Sequence, residues 1–183
     1  MESGDRWCHV AMAMLTEVIR LTLFPAMMVF AAASDLLTMT IANRVSLILA
    51  GGFALLAALS GMNGADLLSH AGAAAAVLVV AFVFFACGWI GGGDAKLVAA
   101  TALWLGFAHL AAYLFYASLL GIALTLALIQ FRGVPLPLVL IGRQWAERLH
   151  DRASGVPYGI ALAAAALLVY PQTEWMTALG SIR

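Results

Sequence analysis

Two aspartates are the residues of this sequence that are best placed to do chemistry. Asp35 has apolar residues on both sides, and Asp94 follows three consecutive glycines. A carboxylate inside an apolar helix costs about 3 kcal/mol at the bilayer centre and less near the helix end. Asp35 therefore has either a function or a boundary position from which it reaches the lipid headgroups. Asp94 gives the sharper signal.

The two acids together predict a hydrolytic pair, provided that they lie at the same membrane level on different helices. Carboxyl groups a few ångströms apart cannot both ionise easily, so one of them keeps its proton. The ionised acid can take a proton from water while the protonated acid donates to the scissile carbonyl. Peptide hydrolysis by Asp35 and Asp94 would then need neither a metal nor a covalent intermediate.

The glycine run Gly91-Gly92-Gly93 removes side chains beside Asp94 and lets another chain approach the backbone closely. Because glycines weaken helices, the run predicts irregular backbone next to the acid. Lys96 either favours the ionised form of Asp94 or marks the cytoplasmic boundary. The alternative interpretation of the run is a plain turn between helices.

The elements that must hold these acids are predicted from the composition. Hydrophobic residues make up 64% of the 183 residues and charged residues only 10%. Apolar stretches of about 20 residues recur, which is the length of a membrane-spanning helix. They lack the alternation of a barrel strand, so helices are expected. The net charge of zero gives no indication of a nucleic-acid partner.

The sequence thus predicts an all-α, polytopic membrane protein in which residues 1–183 form a single domain. The five tryptophans fit interface belts. The apolar runs predict about six transmembrane helices, at roughly residues 19–37, 45–60, 67–89, 95–107, 108–130 and 158–175.

The polar segment 131–156 is predicted to be a cytoplasmic loop with an amphipathic helix in the membrane interface. Leu138, Ile141, Trp145 and Leu149 recur at spacings of three and four opposite charged residues, although a solvated loop helix fits as well. The basic residues favour this orientation, with both termini outside. Six of them then face the cytoplasm (Arg44, Lys96, Arg132, Arg143, Arg148 and Arg152) and three face outward (Arg6, Arg20 and Arg183).

No metal site or cofactor is predicted. Cys8 and Cys87 lie far apart and lack the spacing of zinc ligands. His70 and His109 are isolated histidines near predicted helix ends, where a structural or interfacial role is expected.

Three short segments resemble the motifs of type IV prepilin peptidases, aspartic peptidases of the GxGD intramembrane group. Asp35 is followed six residues later by Ile41-Ala42-Asn43, similar to that family's Ile-Pro-Asn. Gly91 to Leu97 resembles its Gly-x-Gly-Asp-x-Lys-Leu motif. Pro157-Tyr158-Gly159 is similar to the segment that opens the last helix in the short Tad/Flp-pilus branch.

The resemblance implies a membrane aspartic endopeptidase that removes the short basic leader from prepilin-like substrates at the cytoplasmic face of the bacterial inner membrane. The substrate's hydrophobic helix would lie in the membrane lipid. Asp35 and Asp94 would be catalytic. The family motifs also imply supporting roles for Gly91, Gly93, Lys96 and Asn43, and a substrate-binding role for Pro157, Tyr158 and Gly159.

Two departures from the family pattern limit the expected activity. Ala42 replaces the usual proline, which loosens the turn but leaves the acid in place. The cysteine-containing loop of the larger bifunctional members has no counterpart between the first two helices, so methyltransferase activity is not expected.

Two other classes of function stay open at this stage. An intramembrane acid beside a glycine break also fits a small transporter or proton-channel subunit. The third alternative is a non-catalytic assembly factor of a pilus or secretion machine that keeps the fold without the activity.

Overall fold

The protein is an all-α membrane protein, as the sequence predicts. The computed structural model describes the backbone of residues 2–177 and the side chains of residues 14–176. Within that range there is no β-strand. The helices are α1 (Glu2–Thr38), α2 (Asn43–Leu59), α3 (Gly64–Ala86), α4 (Gly92–Gly133), α5 (Gln144–His150), α6 (Tyr158–Val169) and α7 (Glu174–Thr177), with 3₁₀ turns at Leu138–Leu140 and Tyr170–Gln172.

Among the described residues, three segments are long and apolar enough to cross a membrane: Met14–Thr38, Gly64–Ala86 and Gly92–Gly133. Asn43–Leu59 and Tyr158–Gln172 are shorter apolar helices. All five of these helices expose large hydrophobic side chains, which suit a surface in contact with lipid. The predicted apolar segments correspond to α1, α2, α3, the two parts of α4, and α6.

The long helix α4 is broken at Gly106, where φ is 62° and ψ is −179°. A positive φ is a conformation that glycine adopts without steric cost. In a continuous helix, Val98 and Ala117 would be about 28 Å apart. They line one cavity instead, so the chain reverses direction at Gly106. The sequence predicts two helices here, and the break lies just before the predicted boundary at Phe107.

Aromatic side chains fill the core at the end of the bundle opposite Asp35. Trp104 is fully buried and donates to the carbonyl of Leu49 over 2.9 Å. Trp175 is 7% exposed and donates to the carbonyl of Trp104 over 2.7 Å. The prediction of an interface position is therefore wrong for these two tryptophans. Trp89, by contrast, is 72% exposed. The side chain of Trp7 lies outside the described residues.

Several predicted helix boundaries are wrong for local reasons. The first helix begins at Glu2 and not near Ile19, since hydropathy marks only the apolar part of a longer helix. The third ends at Ala86, where the chain turns through Gly88 with φ 75°. The last ends at Val169, because Pro171 follows in a 3₁₀ turn.

The predicted amphipathic helix of segment 131–156 is interrupted. Gly142 has φ 83° and separates the turn Leu138–Leu140 from the seven-residue helix α5. Leu149 on α5 is buried against the bundle, whereas Leu138 and Val139 are 87% and 82% exposed. The apolar residues of this segment therefore do not share one helical face.

Candidate active site

Asp35 lies near the carboxyl end of α1 and is 5% exposed. The helix ends soon after it, because hydroxyl groups stabilise the turn that follows. Ser34 Oγ donates to the carbonyl of Thr40 over 2.9 Å, and Met39 adopts φ 56° while its N–H bonds to the carbonyl of Asp35. The chain thus leaves the membrane helix directly beside the acid.

The first turn of α6 supplies a hydrogen bond to Asp35. The backbone N–H of Gly159 donates to Asp35 Oδ2 over 2.7 Å. This N–H is free to do so because the first N–H groups of a helix have no partner within it. The helix N-terminus also stabilises a nearby carboxylate. Pro157 and Gly159 are buried, and Tyr158 between them is half-buried.

Asp94 lies in the first turn of α4, whose N-cap is Gly91. The backbone N–H of Gly91 interacts with the Asp94 carboxylate, as in a capping box where an acid at the third helical position reaches back to the cap. The prediction of irregular backbone at the acid is therefore wrong. The glycine run starts the helix, because glycine is accepted at the N-cap and an acid is favoured in the first turn.

The structure brings Asp35 and Asp94 together from α1 and α4. Ile41 lies close both to Gly93, the neighbour of Asp94, and to Gly159, the hydrogen-bond partner of Asp35, so the two acids lie on the same side of the bundle. Each carboxylate also interacts with the backbone N–H of a glycine, Gly159 for Asp35 and Gly91 for Asp94. The arrangement is a pair of interacting carboxyl groups in a largely buried setting, which suits proton transfer to and from a bound substrate.

Ile41 connects the elements around this pair, although the sequence singles it out only as part of a motif. A β-carbon on Gly93 would lie 3.1 Å from Ile41 Cβ and 3.2 Å from its carbonyl oxygen. A β-carbon on Gly159 would lie 2.6 Å from Ile41 Cδ1 and 2.8 Å from Asp35 Oδ2. Gly93 and Gly159 therefore allow α4 and α6 to approach the turn that follows α1.

Lys96 and Asn43 lie beside the pair and contact each other. Lys96 Nζ donates to Asn43 Oδ1 over 2.8 Å. Among the described side chains, Arg20 and Glu17 form an ion pair, whereas Lys96 and Asp94 do not. Of the two interpretations of Lys96, direct stabilisation of the ionised acid by an ion pair is not supported by this geometry.

A cavity of about 440 Å³ opens next to Asp94 between α3, the two parts of α4, and α6. Its wall is almost entirely apolar, and Asp94, Ser118 and Tyr158 are its polar members. Gly121 leaves space for the Tyr158 ring, which its β-carbon would otherwise meet. Apolar groups of a substrate could fill this space with a peptide bond near the carboxyl group.

Segment 131–156 is packed at the same end of the molecule. Arg132 donates to the carbonyls of Leu149 and Gly155 over 2.7 and 2.8 Å. Arg148 donates to the carbonyl of Leu37, two residues after Asp35, over 3.1 Å. Lys96, Arg132 and Arg148, three of the basic residues that the sequence assigns to the cytoplasmic side, thus lie at the same end of the molecule as the acid pair. Arg6 and Arg183 lie outside the side chains described.

The isolated histidines lie at the opposite end. His70 Nδ1 is 2.8 Å from the carbonyl of Leu103, and its ring packs against Phe53 and Trp175. His70 and His109 line a small cavity that does not include either catalytic candidate. The described residues contain no group of three or more side chains suited to bind a metal ion.

A comparison with known protein families gives a match. Residues 22–126, more than half of the chain, match the profile of the type IV leader peptidase family. The matched range contains Asp35 and Asp94 and ends before α6. Searches of curated proteins and of solved structures gave no significant match.

Proposed function

The chain belongs to the type IV leader peptidase family and is a membrane protease, and we propose that it is an aspartic endopeptidase with Asp35 and Asp94 as its catalytic pair. The observation that carries the proposal is the convergence of these two acids, each with a glycine N–H directed at its carboxylate. Carboxyl groups that interact in this way share one proton over a range of pH and act as a unit.

In the proposed reaction, one acid accepts a proton while the other donates one, and the two roles are exchanged in the second step. The ionised carboxylate takes a proton from water, and the water oxygen bonds to the carbonyl carbon of the scissile peptide. The protonated acid donates its proton to the carbonyl oxygen, giving a neutral tetrahedral diol. The diol then loses one hydroxyl proton to a carboxylate as the C–N bond breaks. The departing nitrogen takes the other acid's proton, which restores the singly protonated pair.

The glycine N–H groups keep the acids oriented for these transfers. Because Asp35 Oδ2 accepts from Gly159, its Oδ1 remains available to water. A preorganised donor of this kind costs no rearrangement during the reaction. The Gly159 bond ties Asp35 to α6, whereas the Gly91 N–H holds the Asp94 carboxylate against the first turn of its own helix.

We propose that the substrate is a prepilin-like protein with a short basic leader followed by a hydrophobic helix. The apolar cavity beside Asp94 supports this proposal, since it would receive apolar residues next to the scissile bond. The position of Lys96, Arg132 and Arg148 at the same end of the molecule as the acids supports a cytoplasmic site in the inner membrane of a bacterium. A basic leader would remain on that side while its helix stayed in lipid.

In this proposal the protein is a single membrane-embedded peptidase domain without methyltransferase activity. The connection between α1 and α2 comprises residues 39–42 and holds no cysteine. The membership of a peptidase family disfavours the transporter interpretation, and the two intact acids disfavour a non-catalytic assembly factor.

The direct experiment is cleavage of a synthetic prepilin-like substrate by the purified protein in detergent or proteoliposomes, with products identified by mass spectrometry. The proposal expects a single cut between the basic leader and the apolar helix. Replacing the leader's basic residues with neutral ones tests the substrate class separately. Cleavage elsewhere, or no cleavage by a protein that is folded and inserted, would contradict the proposal.

A further inference from the structure

The acid pair depends on how α4 is rotated about its own axis, because Asp94 is carried in its first turn. Successive helical residues point about 100° apart, so a modest rotation would swing the carboxyl group away from Asp35. The structure shows two contacts that act on this rotation. Both are made with the turn between α1 and α2, which directly follows Asp35.

The first contact is the close packing of Ile41 against Gly93. The second is the hydrogen bond of 2.8 Å from Lys96 Nζ to Asn43 Oδ1. Gly93 and Lys96 are three residues apart and lie on one face of α4. One face of the helix is thus attached at two points to the segment 41–43.

Lys96 does not form an ion pair with Asp94. Residues two apart on a helix do not face each other, and no ion pair joins them in the part of the structure with described side chains. Lys96 is the fifth residue of α4, and its exposed side chain makes a contact with another helix. Asn43, at the start of α2, provides that contact through its amide oxygen.

We propose that Asn43 and Lys96 are a positioning pair, whose hydrogen bond fixes the rotation of α4 and thereby directs Asp94 toward Asp35. The proposal rests on the proposed function. It assigns neither residue a contact with the substrate. Loss of the bond should lower turnover while leaving substrate binding intact, since the apolar cavity is formed by other side chains.

The test is a double-mutant cycle in the purified protein. Lys96→Met keeps the length of the side chain but removes the donor, and Asn43→Ala removes the acceptor. Each should lower kcat roughly ten- to a hundredfold, because a small misplacement of a catalytic group has effects of this size. KM should stay within about twofold. The double variant should be no slower than the worse single variant, because both remove the same bond.

Two further variants separate this role from general ones. Asn43→Asp retains an acceptor oxygen and should retain most of the activity. Arg44→Met removes a neighbouring exposed cation without removing the hydrogen bond, so kcat should be unchanged. A loss as large as that of Lys96→Met would mean that positive charge alone matters. Every variant is compared at equal insertion and equal thermal stability. If Asn43→Ala does not accumulate, Lys96→Met and Asn43→Asp still decide the question.

The inference is overturned if Lys96→Met has the kcat of the wild type, if the two single effects multiply in the double variant, or if Arg44→Met is as slow as Lys96→Met. In each case cleavage by the wild-type protein would leave the proposed function intact. If the wild type itself does not cleave the substrate, the proposed function fails and not merely the positioning role.

Discussion

The backbone N–H of Gly159 donates a 2.7 Å hydrogen bond to Oδ2 of Asp35, although 124 positions separate the two residues in the sequence. The bond joins the end of α1 to the beginning of α6. It places a helix N-terminus against a carboxylate, which is a favourable electrostatic arrangement. One of the proposed catalytic groups is therefore oriented by a segment far from it in the chain.

Gly159→Ala should lower cleavage by about a hundredfold or more. Its β-carbon would lie 2.8 Å from Asp35 Oδ2 and 2.6 Å from Ile41 Cδ1, so the acid or the helix must move, and such misplacement is costly for catalysis. Initial rates with a fixed substrate concentration measure the effect. Gly155→Ala is the matched control, because no atom lies within 4 Å of its β-carbon. Equal rates for the two variants would contradict the assigned contact.

Gly93→Val should reduce activity severely without preventing membrane insertion. Even a β-carbon at this position would lie 3.1 Å from Ile41 Cβ and 3.2 Å from a backbone oxygen, and valine adds two methyl groups. Gly91→Ala should have a smaller effect, because its β-carbon would approach only the flexible side chain of Asp94, at 3.0 Å from Oδ2, and no backbone atom outside its own helix. Cleavage rates normalised to inserted protein provide the measurement.

The control for Gly93 is Gly51→Ala on α2, where the space around the β-carbon is open. That variant should retain full activity and gain about 0.5–1 kcal/mol of stability, because alanine favours the helix over glycine. Wild-type turnover by Gly93→Val would support the plain-turn interpretation of the glycine run.

These glycines illustrate what the sequence could predict and what it could not. Composition and local pattern are enough to single out the two acids as candidates and to predict the all-α class. They also predict that one helix ends and another begins near residue 107. The start of α4 at the glycine run does not, because the propensity of glycine against helix is outweighed by its acceptance at an N-cap. The contact of Gly159 with Asp35 joins distant segments, so no local pattern predicts it.

The interruption at Gly142 has a similar cause. The spacing of Leu138, Ile141, Trp145 and Leu149 satisfies a helical period, but periodicity ignores the local backbone. With φ at 83°, Gly142 ends the 3₁₀ turn and redirects the chain before α5. Likewise Trp104 and Trp175 lie in the core because their indole N–H groups find buried carbonyl partners, which composition cannot reveal.

The orientation can be tested by cysteine accessibility in intact cells. In a background with Cys8 and Cys87 replaced, Ala153→Cys should resist an impermeant reagent added outside, because segment 131–156 is expected in the cytoplasm. Gln172→Cys, exposed at the other end of the bundle, should react. Labelling of position 153 from outside would reverse the orientation and contradict the proposed cleavage of a cytoplasmic leader.

Strong chelators should leave the cleavage rate of the purified protein unchanged. The proposed reaction takes its proton transfers from two carboxyl groups and has no step that needs a Lewis acid. Rates are compared before and after prolonged dialysis against the chelator. Activity that is lost in this treatment and restored by zinc would assign the protein to another class of peptidase.

Two exposed acids provide matched controls for the catalytic pair. Asp66 bonds to Asn63 at the start of α3, and Asp151 accepts from the N–H of Ala153. Asparagine at position 151 keeps an oxygen that can accept from Ala153. Asparagine at position 66 keeps the backbone N–H that donates to Asn63. Asp66→Asn and Asp151→Asn should therefore cleave at nearly the wild-type rate.

The most direct measurement is the cleavage rate of Asp35→Asn, Asp94→Asn and the double variant, each shown to insert and accumulate normally. Asparagine keeps size and polarity but cannot accept a proton from water. Each single change should abolish cleavage of the prepilin-like substrate, and the double variant should be no worse, because the two residues serve one chemical step. Cleavage by Asp35→Asn at a rate near that of the wild type would contradict the two-aspartate mechanism and leave Asp35 as a boundary charge.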